Sequence, residues 1–343
     1  DYNDLVEKLR GDLVEMALRD RAKRAGYTAV LMQGSGTFAV ESVIGSVIPQ
    51  GGKLAVLSNG AYGRRIAEIA GILKVPAVEL RFDECERPDA ETLAVMLDDD
   101  PAVTHVAVVH CETTTGILND IESVARAAKS RGKKLIVDAM SSFGGIPIFM
   151  DALEIDFLIS SANKCIEGVP GFAFVLANRA ALSECAGLAR SLSLDLYGQW
   201  KTMEEHGGKW RFTSPTHVVC AFAEALRELK AEGGAAARNR RYAANRDMLV
   251  RGMEGLGFKA LLPAELRSPV ITSFLYPDGI GFDFAEFYES LKRDGYVIYP
   301  GKLSERDTFR IGNIGDIRER QIAGLLAAVE RYVKRSEARP LCA

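Results

Sequence analysis

Strand-length runs without a polar residue, alternating with helix-length amphipathic stretches, set the tightest limit on what this chain can fold into. Val106-Ala107-Val108-Val109 is apolar at every position. A strand with one wet face alternates polar and apolar residues, so an unbroken apolar run is covered on both faces. Six further runs read as strands: Ala29–Met32, Leu54–Ser58, Ala77–Leu80, Lys134–Asp138, Phe157–Ser160 and Phe172–Ala177; the seventh is His105–His110. Between them the pattern predicts helices over Thr37–Ile48, Gly63–Leu73, Ala90–Leu97, Ile121–Arg131 and Arg179–Leu188. An opening helix from Leu5 to about Lys23 buries a stripe at Leu5, Leu9, Leu13, Met16 and Ala17. The expected fold class is α/β: a mostly parallel sheet between two helical layers.

The rhythm changes after about residue 212. Helices are predicted over Pro215–Ala231 and Ala235–Leu256, then a strand (Val270–Tyr276), a helix (Asp283–Asp294), strands Val297–Tyr299 and Thr308–Ile311, and a helix over Ile317–Val333. This reads as a large α/β domain, residues 1–232, followed by a smaller C-terminal α+β domain, 233–343. For 343 residues, two domains agree with the usual ~150 residues each.

Charge narrows the function. With 43 Lys and Arg against 46 Asp and Glu, the net charge is -3, which argues against a nucleic-acid partner. The longest uncharged run, Ala25–Val40, falls short of the ~18 residues of a membrane span. Cysteines 85, 111, 165, 185, 220 and 342 form no C-x-x-C, so reduced thiols and a cytoplasmic location are expected, with no metal site. Four histidines leave little material for imidazole chemistry. The first residue is Asp, not Met, and the expectation is that the chain lacks its true start.

Three segments can carry chemistry. Gln33-Gly34-Ser35-Gly36-Thr37 joins a strand to a helix whose free N–H groups suit a phosphate, although such turns are common and this one is neither G-x-G-x-x-G nor a P-loop. Asp138 ends a buried strand, where open α/β sheets bind ligands; an Asp there also caps loops. Lys164, in Ser160-Ser161-Ala162-Asn163-Lys164-Cys165, follows another buried strand. Partial desolvation would lower its pKa and make it a Schiff-base candidate, while most loop lysines are simply solvated. Asp138 and Lys164 stand 26 residues apart at the ends of strands expected to be neighbours. A phosphate cradle, an acid for a pyridinium nitrogen and a lysine are together what pyridoxal 5'-phosphate requires.

Eight segments then carry a family resemblance: GSGTFAVES (34–42), SNGAYG (58–63), HCETTTGIL (110–118), VDAMSSFGGIP (137–147), SSANKCIEGVPGFAF (160–174), SLSLDLY (191–197), KWRFTSPTH (209–217) and FRIGNIG (309–315). Through them the chain resembles the fold-type I pyridoxal-phosphate aminotransferases of class V, in the branch of the alanine-glyoxylate and serine-pyruvate transaminases. The resemblance implies that Lys164 bonds the cofactor and Asp138 pairs with its ring nitrogen. It further implies that Ser35, Gly36, Thr37 and Asn163 hold the phosphate, that Tyr62 stacks on the ring and that Thr113 bonds near it. Trp210 and Thr213 would reach the partner subunit's phosphate, so a homodimer is implied, and Arg310 would grip the substrate anion. At its narrowest the resemblance implies 2-aminoethylphosphonate as donor and pyruvate as acceptor, giving phosphonoacetaldehyde and L-alanine.

Three other readings stay open: the same chemistry on alanine or serine, a pyridoxal-phosphate lyase or desulfurase, and a non-catalytic Rossmann-like phosphate or nucleotide binder. Cys165 beside the lysine is badly placed for a desulfurase cysteine, which acts from a mobile loop. The nucleotide-binder reading leaves the Asp138–Lys164 pairing unexplained. Relatives begin with a Thr-Pro-Gly-Pro-type segment that is absent here, so about thirty residues of site wall are expected to be missing. The arginine-rich run Arg238–Arg251 is expected to be a solvated helix face.

Overall fold

A computed structural model describes residues 1–277, 282–301 and 306–337. The chain divides into two compact units, Asp1–Glu112 with Asn119–Arg238, and Thr113–Leu118 with Asn239–Ala343.

The first unit opens with helix α1 (Tyr2–Met16) and then runs β1 (Tyr27–Gln33), α2 (Gly36–Val47), β2 (Lys53–Ser58), α3 (Ala61–Ile72), β3 (Ala77–Arg81), α4 (Ala90–Asp99) and β4 (Val103–Val109). After Asn119 come α5 (Ile121–Lys129), β5 (Lys134–Asp138), α6 (Met150–Leu153), β6 (Phe157–Ser161), β7 (Phe172–Asn178), α7 (Arg179–Ser183), α8 (Leu196–Glu205) and α9 (Thr216–Glu232). The seven strands form one sheet in the order β1-β7-β6-β5-β4-β2-β3. Only β7 runs against the rest, pairing antiparallel with both β1 and β6. The mostly parallel sheet expected from the apolar runs is therefore present, and its core strands are covered on both faces. Val106 and Val108 belong to one apolar cluster and Ala107 and Val109 to the other.

Three predicted elements differ, one of them the strand expected over Val297–Tyr299, which is Tyr299–Pro300. The opening helix stops at Met16, because the backbone amides of Arg19 and Asp20 turn away to donate to the Asp151 carboxylate at 2.8 and 3.0 Å. A short 3-10 turn, Arg21–Gly26, capped by Asp20, replaces the expected last turns. The helix after β7 is only Arg179–Ser183 rather than reaching Leu188. Helix α8 lies in the segment 191–214, for which no element was predicted; Asp195 caps it by accepting from the Gly198 amide at 2.9 Å.

The second unit holds α10 (Gly234–Gly255, which begins in the first unit), β8 (Ile271–Leu275), α11 (Phe284–Arg293), β9 (Tyr299–Pro300), β10 (Thr308–Gly312) and α12 (Glu319–Glu337). Its sheet is antiparallel in the order β8-β10-β9. Aromatic rings fill its core: Phe309 stacks on Phe274 at 5.7 Å and meets Phe287 edge-on at 5.1 Å. No helix among the described residues is long and apolar enough to cross a membrane.

Candidate active site

The parallel strands deliver four loops to one edge of the first unit's sheet, because the carboxyl ends of β1, β2, β5 and β6 all point there. The predicted Gly34–Thr37 turn, Tyr62, Asp138 and Lys164 follow those four strands. This is the crevice position that open α/β sheets use for ligands. Gly36, Thr37, Tyr62, Arg65, Asp138 and Met140 line one cleft there.

Asp138 ends β5, whose register places it beside Val109 of β4 and Ile159 of β6. Its residue is 5% exposed. Burial pushes its carboxyl up to about 6; the Met140 amide, donating at 2.9 Å, and the Arg65 and Lys164 charges pull the other way, while Glu112 adds to the rise. A carboxyl strained in this way gains when a cation comes against it. Lys164 lies just past β6, half-buried, and the neighbouring strands bring it within electrostatic reach of Asp138. Asn163 beside it is exposed.

The start of α2 fits an anion. Ser35 precedes the helix in extended conformation and its side chain caps nothing. The first turn carries no acid, so no carboxylate of its own competes for its N–H groups and positive dipole end. A Cβ on Gly36 would sit 2.3 Å from Met140 Sδ, so a larger residue here would push the Met140 side chain aside in the cleft. Tyr62 is half-buried in the first turn of α3, with the Arg65 guanidinium 5.1 Å from its ring centroid.

Glu112 is the residue that motif reading quoted without assigning. It is 0% exposed, and its Oε2 accepts from the Tyr62 and Gly63 amides at 3.0 and 3.3 Å. It thereby supplies the cap that Gly60 does not give α3 and holds the turn carrying Tyr62. The signal in the sequence was only an acid just past a buried strand.

The remaining predicted residues lie elsewhere in the chain's two units. Trp210 is 6% exposed in the first unit's core, edge-on to Phe172 at 6.2 Å, and its indole N–H has no partner. Thr213, three residues on, is exposed. Thr113 and Arg310 belong to the second unit, where Arg310 (6% exposed, on β10) donates to the Thr113 carbonyl at 2.7 Å and to the Pro300 carbonyl at 3.2 Å. Cys165 is fully buried and donates to the Ser141 carbonyl at 3.2 Å; burial raises its thiol pKa, which makes it a poor nucleophile. No two of the five cysteines among the described residues form a disulfide, while Cys342 lies outside them. Those residues contain no group of side chains able to hold a metal ion. The expected solvated face over Arg238–Arg251 is corrected at its first member: Arg238 is 2% exposed.

Comparison with known proteins adds to this geometry. A family model described as aminotransferase class-V matches residues 24–298. A protein of Syntrophobacter fumaroxidans named 2-aminoethylphosphonate–pyruvate transaminase is 58% identical, over 98% of this chain and 89% of the relative. A protein of the same name from Bacillus mycoides is 56% identical, over 97% and 90%. Among solved structures, pyridoxamine-pyruvate aminotransferase from Mesorhizobium loti superimposes with a TM-score of 0.86 at 23% identity, over 99% and 86% of the two chains. Alanine–glyoxylate aminotransferase from Nostoc sp. gives 0.86 at 24% identity, over 97% and 87%.

Proposed function

The chain belongs to the class V aminotransferases, and we propose that within this family it moves the amino group of 2-aminoethylphosphonate to pyruvate, giving phosphonoacetaldehyde and L-alanine. The name carried by relatives 56–58% identical over nearly the whole chain supports the substrate pair. The observation that carries the chemistry is a buried acid at one strand end in the cleft, a lysine past the next strand within its electrostatic reach, and a helix start with no side-chain cap on the same cleft.

These residues fit pyridoxal 5'-phosphate. The α2 amides with Ser35, Gly36, Thr37 and Asn163 would hold its phosphate, Tyr62 its ring face, Asp138 its ring nitrogen, and Lys164 its aldehyde carbon. When bound, the cofactor supplies an electron-accepting ring that stabilises the carbon left after the donor loses a proton. Asp138, ionised once a cation lies against it, keeps that ring positively charged. Lys164 Nζ, as a neutral amine, would be the base that takes the proton from the donor's amine-bearing carbon. In the second half-reaction Lys164 Nζ would return a proton to the α-carbon derived from pyruvate, which leaves as L-alanine.

The donor carries a phosphonate and the acceptor a carboxylate. We assign both anions to Arg310, whose planar fork suits either one, and place Thr113 near the cofactor ring. We take the active species to be a cytoplasmic homodimer in which Trp210 and Thr213 serve the partner's phosphate.

The test is cofactor uptake followed by an amino-donor screen with pyruvate. Purified protein should gain a visible absorbance band with pyridoxal phosphate, and Lys164→Ala should lack it. Among amines, 2-aminoethylphosphonate should turn over fastest. A protein that takes up no cofactor overturns the reading; faster turnover of alanine or serine overturns the donor.

A further inference from the structure

Arg238 lies in the arginine-rich run, yet it is buried and its guanidinium is bonded to carbonyls and carboxylates of the same unit. Its Nη1 donates to two successive carbonyls, Cys165 at 2.8 Å and Ile166 at 3.1 Å. Its Nε donates to Glu232 at 2.8 Å, and Nη2 lies 3.7 Å from the Glu167 carboxylate. Three of those four partners are the residues that immediately follow Lys164.

The turn these residues form is held from several sides. The Glu167 amide closes back on the Lys164 carbonyl at 2.8 Å, and the Gly168 amide on the Ala162 carbonyl at 2.9 Å. Glu167 adopts φ of 67°, a left-handed conformation that a non-glycine residue keeps only when its surroundings enforce it. Cys165 and Ile166 are fully buried, and the Cys165 thiol ties the turn to the Ser141 carbonyl, in the loop that follows Asp138. Lys164, which precedes these residues, is half-buried and within electrostatic reach of Asp138. A long lysine side chain has four rotatable bonds, so its reach is only as exact as its anchoring backbone.

We propose that Arg238 is a positioning residue for the transamination: it clamps the Cys165 and Ile166 carbonyls and so fixes the backbone from which Lys164 works. The inference rests on the functional reading above. No other donor type fits this place. Two carbonyls and two carboxylates need several N–H groups diverging from one rigid plane, which a guanidinium has and an ammonium lacks. A proton transfer is sensitive to such anchoring, since a misplacement of about 1 Å can lower a rate by ~10²-fold.

The experiment compares Arg238→Lys with wild type. The substitution keeps a cation among the acids but cannot reproduce the fork. Wild-type protein must first show the cofactor band that Lys164→Ala lacks; if it does not, the functional reading fails and the positioning role of Arg238 falls with it. Given that band, Arg238→Lys should capture added cofactor at least about tenfold more slowly, followed by absorbance in the absence of any amine. Its kcat should fall about 10- to 100-fold with KM within about threefold, and deuterium at the donor's amine-bearing carbon should slow it more than it slows wild type. Capture, kcat and isotope effect all equal to wild type would overturn the proposal. A second measurement does not depend on the variant folding. In wild-type apoprotein, the Glu167 and Gly168 amides should exchange with solvent as slowly as the central strands. Exchange at the rate of a surface loop would show that the turn is not held, and would overturn it as well.

Discussion

Asp138 keeps its carboxyl near 6 because burial outweighs every nearby cation. In the pH range between its ordinary 3.8 and about 6, the folded state binds more protons here than the unfolded state does. Stability therefore falls as pH rises through that window, and the penalty at neutral pH is up to about 3 kcal/mol. Asp138→Asn should accordingly raise the melting temperature of the apoprotein at pH 7 and lose that advantage at pH 4, read by thermal melts at the two pH values. The same variant should lower the transamination rate by about 10²- to 10³-fold, since the ring charge is no longer enforced. Arg310→Ala should raise KM for donor and pyruvate together; an unchanged KM for pyruvate would remove the assignment. His110 illustrates the opposite case. Burial pushes its imidazole down to about 4, and Nδ1 pairs with the Ser142 hydroxyl at 2.9 Å, so it stays neutral and structural.

At the scale of elements, helix α3 depends on a cap borrowed from a distant loop. Glu112 is separated from Tyr62 by 50 residues, and their bond exists only because β2 and β4 are sheet neighbours. Glu112→Ala should cost about 1–3 kcal/mol in urea unfolding, because two buried amides lose their acceptor. The same helix sits tight on its strand: a Cβ on Gly63 would come within 2.8 Å of the Ser58 Cα, a backbone atom that cannot yield cheaply. Gly63→Ala should destabilise by about 1–3 kcal/mol in the same assay. Strand β7 shows where periodicity runs out. Its apolar run was legible, but its direction follows from the short connection, residues 162–171, which is too brief for the crossover a parallel strand needs.

For the molecule as a whole, a shared active site has a consequence that does not depend on any one rate. If Trp210 and Thr213 serve the partner's phosphate, a subunit lacking Lys164 still lends a working Thr213. Lys164→Ala and Thr213→Asp should each be nearly inactive alone. Refolded together in equal amounts, they should recover about a quarter of wild-type activity, since half the dimers are mixed and each mixed dimer has one intact site. Recovery near zero would place Thr213 in its own subunit's site or outside the site.

Sequence alone determined the sheet and much of its furniture. Unbroken apolar runs such as Val106–Val109 dictate strands buried on both faces, and strand-end positions single out Asp138 and Lys164 before any coordinates exist. Those are local and periodic signals, and the physics that writes them acts over a few residues. What only the tertiary structure decided are long-range polar contacts. Asp151 ends the first helix 131 residues away, Glu112 caps α3, and Arg238 is drawn from a charged run into a buried clamp 73 residues from its Cys165 partner. No periodicity marks such residues, because a buried arginine and a solvated one look alike until the chain has folded and the desolvation of each charge is set by what packs around it.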